Sequence, residues 1–225
     1  MDNYVITVAR GFGSGGKCIA SLLADELGLN CYENRILTLA SQMSGLDEQL
    51  FREVNEKLRD KKVSFFLRGL PRTSKPKPAE GEFVSDERLF EIQKHIIEQL
   101  ADLESCIIVG KCADWILRNK QNVVSIYIEA PRRFCVRRLT ERMGINEETA
   151  HKTIEQTDKY RAAYYEYYTG GNYWTNPVNY DITLNSERVG IENCVKVIKD
   201  YLKVRFPDIH FDGNQIEQTT EEIIE

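Results

Sequence analysis

The sequence lacks any apolar run close to the roughly 20 residues that cross a bilayer. Its start, MDNYVITVAR, also lacks a basic segment followed by a long apolar one. We therefore expect a soluble chain with no membrane partner and no secretion signal. The six cysteines form no CxxC pair and mostly lie inside apolar segments. This placement is typical of reduced thiols in a cytoplasmic protein and disfavours a disulfide framework or a zinc site.

The chain has no excess of positive charge either. Its formal net charge is −5 at pH 7 and the basic residues are spread out, which disfavours a nucleic-acid partner but leaves local basic clusters for a small anion. The 225 residues, with ordinary apolar and charged fractions, predict a single domain over 1–207 and a polar tail over 208–225. A homodimer is compatible with this composition.

Short apolar runs alternate with helix-like patterns along the chain. The strand-like runs are YVITVA, NCYEN, SCIIVG, VVSIYIEA and YDITLN. A long helical region between 132 and 168 is expected to break near Gly144, with Asn146 capping the next helix. PRTSKPKPAEGE is expected to be a loop. Strands that alternate with helices predict a parallel sheet covered on both faces, a three-layer α/β domain.

The most informative stretch is GFGSGGK, which fits the spacing G-x-x-x-x-G-K after a strand and at a helix start. Backbone without side chains can curl so that its N–H groups point at phosphate oxygens, and the helix N-terminus adds positive potential. A glycine-rich turn that binds nothing is the alternative. Four glycines in so short a stretch, followed by a lysine, favour a phosphate-binding loop. The candidate phosphate-binding residues are Gly11, Gly13, Ser14, Gly15, Gly16, Lys17 and Cys18.

Cys18 departs from the standard loop, which has Ser or Thr at this position to contact Mg²⁺. We therefore expect Mg²⁺ to be held by phosphates, water or other residues.

A second group of candidates lies between 132 and 168. Asp158 and Arg161 share a helix face, and RRFCVRRLTER places Arg138 and Arg142 in another helix. Arginines on a movable flap spread positive charge over a transferring phosphoryl group. For any single arginine, a solvated face is the more ordinary explanation. The neighbouring tyrosines are expected to pack, and the glycines of TGGNYWTNP to absorb rotation as the segment closes over the donor phosphates.

Three stretches resemble the cytidylate kinase-like branch of the P-loop nucleoside monophosphate kinases. They are ITVARGFGSGGKCIASLLADELG, IIVGKCADWIL, and TDKYRAAYYEYYTG with NYDITLNSERVGIE. The resemblance covers most of the chain apart from 45–88 and the tail. It implies a P-loop NTPase fold with a five-stranded parallel sheet, a helical NMP-binding insertion at about 34–88 and a helical lid at about 137–173.

The resemblance fails after the third strand. Cytidylate kinases have an Arg-Asp pair there that holds the acceptor, and this chain has Lys111 and Cys112. The lid motif Asp-x-x-Arg is kept as Asp158 and Arg161. Lysine offers a point charge where arginine offers a fork, and a thiol accepts hydrogen bonds poorly. We therefore expect CMP to be a poor or unselective acceptor.

These observations predict a phosphotransferase that moves the ATP γ-phosphoryl group, with Mg²⁺, to a nucleoside monophosphate or similar small acceptor. The predicted catalytic residues are Lys17, Arg138, Arg142, Asp158 and Arg161. The predicted acceptor-side residues are Arg10, Glu33, Arg35, Lys111 and Asp158. Two alternatives remain open, a kinase for a different small molecule and a nucleotide-binding regulatory protein without turnover.

Overall fold

The computed structural model describes residues 3–33, 36, 87–209 and 211. Nearly all of the predicted insertion at 34–88, including Arg35 and the loop PRTSKPKPAEGE, lies outside these residues, as does most of the tail. The elements that form the predicted nucleotide site lie within them.

Five parallel strands form one sheet, in the order β2-β3-β1-β4-β5. The strands are β1 (Val5–Arg10), β2 (Asn30–Tyr32), β3 (Cys106–Val109), β4 (Val123–Glu129) and β5 (Ile182–Asn185). Strands β2 to β5 each lie within one of the strand-like runs, and β1 extends one residue beyond YVITVA to Arg10, so the predicted parallel sheet is confirmed. Because the strands are parallel, their carboxyl ends and the loops that follow meet at one edge.

Seven α-helices lie in the described part of the chain. They are α1 (Gly16–Leu27), α2 (Glu87–Leu103), α3 (Ala113–Ile116), α4 (Arg132–Met143), α5 (Glu147–Tyr168), α6 (Ser186–Val189) and α7 (Ile191–Arg205). The predicted break is present, because Gly144 ends α4 with φ 63° and the Asn146 side chain accepts a hydrogen bond from Thr149 N at 2.8 Å. The short α6 was not predicted, and neither was a 3₁₀ turn at Pro177–Asn179.

The helices cover both faces of the sheet. Along β1, Ile6 and Val8 face α1 and α7, whereas Val5, which points to the opposite face of the pleat, faces α2 and α3. Both sets of side chains are almost completely buried. Each such aliphatic side chain stabilises the fold by roughly 1.5–3 kcal/mol, so the sheet is held from two sides. This is the predicted three-layer α/β arrangement, with the glycine-rich loop after the central strand as in P-loop proteins.

A separate aromatic cluster anchors the C-terminal half of α5 near the carboxyl ends of β3 and β4. Its buried members are Ala9, Phe90, Cys112, Tyr127, Tyr165, Trp174 and Tyr180. Tyr168 of α5 stacks on Phe90 with ring centroids 3.9 Å apart, and Tyr164 packs against the same cluster. The predicted packing role of these tyrosines is confirmed. The end of α5 is therefore fixed to the core by apolar burial.

Candidate functional site

The glycine-rich loop has a backbone that only glycine adopts without strain. Gly13 and Gly15 have φ of 84° and 87°, in the left-handed region. A Cβ atom on Gly13 would also lie 2.9 Å from Cys135 Cβ, because α4 packs directly against the loop. The pattern of glycines thus reflects both a required backbone shape and the close approach of a neighbouring helix.

The loop leads into an uncapped helix start. Gly15 is the N-cap of α1 and has no side chain that could accept hydrogen bonds from the first-turn amides. The first amides of any helix have no carbonyl partner within the helix. Lys17 and Cys18 lie in that first turn, and the Lys17 side chain is 71% exposed. The helix start thus offers amide groups, the positive end of the dipole and a mobile ammonium group at one place.

Ser14 has an internal role in this loop. Its side chain is buried, and its Oγ donates to Gly11 O at 2.9 Å. Its backbone oxygen accepts a hydrogen bond from Ser186 Oγ at 2.5 Å, which ties the loop to the start of α6. Ser14 therefore shapes the loop from within, through contacts on the side away from solvent.

Glu33, immediately after β2, joins two predicted site residues. Its Oε1 lies 2.9 Å from Arg10 Nη2, and its Oε2 lies 2.7 Å from Lys17 Nζ. Burial tends to raise the pKa of Glu33, but the two cations outweigh it and lower the pKa below its ordinary value. Glu33 is therefore a carboxylate, and the two groups predicted to bind phosphates are both paired with it.

Arg10 is fixed at the crevice between β1 and β3. These neighbouring strands lead into α1 and α3 on opposite faces of the sheet, the arrangement that creates a ligand crevice at their carboxyl ends. The Arg10 guanidinium lies over Gly110, where any Cβ atom would overlap it. The Arg10 backbone oxygen accepts a hydrogen bond from Arg161 Nη1 at 3.2 Å.

Asp158 and Arg161 of α5 meet at the entry of the loop, as their shared helix face predicts. Asp158 Oδ1 accepts the N–H of Phe12 at 2.9 Å and lies 3.5 Å from Arg161 Nη1. Burial raises the pKa of Asp158, while Arg161 and the Phe12 N–H oppose that rise. The Asp-x-x-Arg motif thus connects α5 to the backbone of residues 10–12.

The arginines of α4 occupy different environments. Arg138 is half-buried, and its Nη2 would lie 3.5 Å from a Cβ atom on Gly15, so its guanidinium is beside the loop. Arg142 is in the last turn of α4 and is exposed. Arg132, at the start of the helix, helps to lower the pKa of Asp158. The structure therefore brings Arg138 to the loop and leaves Arg132 and Arg142 exposed, with Arg132 close enough to act on Asp158 electrostatically.

Lys111 and Cys112 follow β3 in an unusual backbone conformation. Together with Gly110 they form three successive left-handed residues, with φ of 74°, 62° and 55°. Non-glycine residues in this region store strain that functional sites often retain. Cys112 is 4% exposed within the aromatic cluster, and burial raises the pKa of its thiol. Lys111 is half-buried at the same turn, next to the crevice.

Sequence reasoning missed three residues near the site. Glu129 ends β4 so close to Gly11 that a Cβ atom there would overlap its carboxylate, which accepts hydrogen bonds from Tyr127 Oη at 2.6 Å and Ala130 N at 2.9 Å. Ser186 braces the loop, and Asp114 lies buried beside Cys112. A charged residue at the carboxyl end of an apolar strand was the signal for Glu129. No local pattern signals the other two.

Three general properties hold for the described residues. They contain no group of three or more His, Cys, Asp or Glu side chains placed to hold a metal ion. No helix among them is long and apolar enough to span a membrane. All six cysteines are free, as predicted.

Comparisons with known proteins agree with this geometry. The chain is 24% identical over 204 residues to a cytidylate kinase of Saccharolobus islandicus strain Y.G.57.14, covering 89% of this chain and 91% of the relative. It is 25% identical over 202 residues to the cytidylate kinase of strain L.S.2.15, covering 88% and 90%. A solved structure of an uncharacterized protein from Eubacterium ventriosum has a TM-score of 0.63 at 22% identity, covering 89% of this chain and 99% of the other. That likeness shows a shared fold.

The family model provides the assignment. Residues 5–188 match the model of the cytidylate kinase-like family, a range that includes the loop, the β3 turn, α4 and α5. The named relatives and the family place the chain among the kinases as a class. The chain belongs to the cytidylate kinase-like family.

Proposed function

We propose that this protein transfers the γ-phosphoryl group of ATP to a nucleoside monophosphate or a similar small phosphate-bearing acceptor. The observation that carries the proposal is the glycine loop, which leads into a helix start without a side-chain cap and places Lys17 beside it. Phosphoryl transfer depends mainly on holding and neutralising phosphates, and these groups suit that task. Mg²⁺, bound with ATP, would neutralise further charge between the phosphates.

The donor side fits a polyphosphate. Gly13 and Gly15 let the loop backbone face inward, and the first-turn amides of α1 add the dipole's positive end. Lys17 supplies a mobile charge that follows the outer phosphates. Cys18 lacks a hydroxyl to bind the metal, so Mg²⁺ would be held by phosphates, water or carboxylates rather than by this side chain.

The lid supplies the remaining positive charge. Arg138 lies beside Gly15, and Arg161 lies at the loop entry, held by Asp158. We assign both guanidinium groups to the developing negative charge of the transferring phosphoryl group, and Arg132 to the same cluster. Arg142 would join them only if α4 rotates, because its side chain now points to solvent.

The acceptor side lies at the crevice between β1 and β3. Lys111 is at the turn after β3, next to the Arg10 guanidinium over Gly110. We assign Lys111 to the acceptor phosphate. Cys112 packs among aromatic rings, which supports a packing role and leaves cytosine recognition without a carboxylate at this position. The acceptor is therefore expected to be selected with little preference for CMP.

The test is an ADP-release assay with ATP, Mg²⁺ and a panel of CMP, UMP, AMP, GMP and small phosphorylated compounds. Turnover of one acceptor supports the proposal and names the substrate. A hundredfold preference for CMP would overturn the argument from Lys111 and Cys112. Thermal shifts on the same panel detect binding without chemistry, because a ligand of the folded state raises Tm. ATP binding without turnover on any acceptor would favour the regulatory alternative.

A further inference from the structure

Glu33 lies between two predicted phosphate-binding groups, Arg10 on the acceptor side and Lys17 on the donor side. One carboxylate oxygen contacts Arg10 and the other contacts Lys17, at 2.9 and 2.7 Å. The exposed fractions differ sharply, since the Arg10 and Glu33 side chains are 13% and 15% exposed and that of Lys17 is 71% exposed. One partner of Glu33 is therefore fixed in the structure, and the other lies at the surface.

The two contacts have different strengths for physical reasons. Arg10 is confined over Gly110, and its pairing with Glu33 is largely shielded from water. Lys17 reaches the same carboxylate from the exposed side, and an ion pair with a solvent-exposed partner is weakened by competing water. A ligand with several negative charges can therefore displace Glu33 from Lys17 far more readily than from Arg10.

We propose that Glu33 acts as an internal stand-in for phosphate, holding Lys17 until the donor arrives. Phosphate oxygens then replace the carboxylate on Lys17, while Arg10 keeps Glu33 in place beside the crevice. Glu33 is in this sense a positioning residue that acts through Lys17, and it sets the affinity for the polyphosphate. The inference rests on the proposed function, because it requires Lys17 to bind the donor.

The test measures the Kd of a non-hydrolysable ATP analogue and of inorganic tripolyphosphate, each with Mg²⁺. Glu33→Gln removes the competing charge while keeping a side chain of similar size, so it should bind both probes about three- to tenfold more tightly. Glu33→Asp has a shorter side chain, and its Kd for each probe should lie between that of Glu33→Gln and that of the wild type. Glu26→Gln is the matched control, because Glu26 pairs with Lys199 away from the loop at 2.8 Å and should leave Kd unchanged.

A double-mutant cycle separates exchange at Lys17 from simple charge repulsion. In a Lys17→Met background, Glu33→Gln should no longer change the Kd, because the cation for which carboxylate and phosphate compete is gone. A persistent tightening there would overturn the stand-in role, as would unchanged or weaker binding by a folded Glu33→Gln variant with wild-type Tm. If Glu33→Gln lowers Tm, the Kd of Glu33→Asp and the double-mutant cycle decide whether Glu33 competes with phosphate for Lys17. Failure of the wild type to bind either probe would instead overturn the proposed function.

Discussion

Asp158 Oδ1 accepts a hydrogen bond from the Phe12 backbone N–H at 2.9 Å, although the two residues are 146 positions apart in the sequence. This bond, with that from Arg161 to the Arg10 oxygen, joins α5 to the loop at two adjacent points. Helix α5 and the loop are therefore directly connected, and a change in either is expected to reach the other.

Substitutions of Asp158 should separate its bonding from its charge. Asp158→Ala leaves the Phe12 N–H and Arg161 without this acceptor, so the free energy of unfolding should fall by about 1–3 kcal/mol. Asp158→Asn keeps an accepting oxygen and removes the negative charge of the carboxylate, whose burial raises its pKa. This variant should therefore keep nearly wild-type stability but lose turnover. Chemical denaturation and the ADP-release assay provide the measurements.

The control for Asp158 is Asp200→Ala, which removes an exposed partner of Lys203 and should change stability by no more than about 0.5 kcal/mol. Equal stability of Asp158→Ala and the wild type would show that the Phe12 contact contributes nothing.

Gly110→Ala should disturb Arg10 and thereby the site. The residue has φ of 74°, and an added Cβ atom would overlap the Arg10 guanidinium. Gly144→Ala is a matched control, because Gly144 has φ of 63° but open space around it. Both variants carry the backbone strain of about 1–2 kcal/mol, and only Gly110→Ala adds the clash. We expect a larger drop in Tm and a changed acceptor KM for Gly110→Ala alone. Equal effects of the two variants would rule out a role for the Arg10 contact.

Lys17→Ala should reduce turnover about 100-fold or more, because it removes an ammonium group whose interaction with the phosphoryl group becomes stronger as negative charge develops in the transition state. The fold should persist, since the side chain is largely exposed and alanine suits a helix start. Lys199→Ala, which removes another lysine that pairs with a glutamate, is the control and should retain wild-type turnover. An unchanged rate for Lys17→Ala on an acceptor that the wild type phosphorylates would contradict the assignment.

The buried Asp114 should make stability depend on pH. Burial raises its pKa from 3.8 to about 6, and Tyr165 Oη donates to its carboxylate at 2.7 Å. The folded state therefore binds the proton more tightly than the unfolded state. This contribution is fully present below pH 3.8 and is lost as the pH rises through about 6, a difference of about 3 kcal/mol.

Asp114→Asn should remove that contribution and be more stable than the wild type at pH 8, in denaturation series between pH 4 and 8. Tyr165→Phe removes the hydrogen bond that lowers the pKa of Asp114. It should therefore enlarge the loss of stability that the wild type shows as the pH rises. A wild-type pH profile in Asp114→Asn would mean that another group titrates.

Lid closure should be confined to part of the predicted segment at 137–173. Tyr165 and Tyr168 already pack in the aromatic cluster, so the end of α5 has little freedom to move. Hydrogen exchange with an ATP analogue and an acceptor should therefore slow mainly across 137–161. Equal protection extending through Gly170 and Gly171 would instead support rotation at those glycines.

Local patterns in the sequence were sufficient for the five strands, for the longer helices of the described residues and for the loop. The alternation of apolar runs and helical periods specified the parallel sheet, and Gly144 with Asn146 specified the break between α4 and α5. The loop was also predictable, because left-handed backbone at Gly13 and Gly15 requires a residue without a Cβ atom. Each of these features depends on residues close together in the chain.

The partners of the charged groups were decided only by the tertiary structure. Glu33 meets Arg10 and Lys17 because β2 and the loop end at the same edge of the sheet, and Asp158 reaches Phe12 because α5 crosses above it. Periodicity shows which face of an element a residue occupies. It does not show which distant element packs there, since strand order, register and helix crossing arise from burial of the whole core.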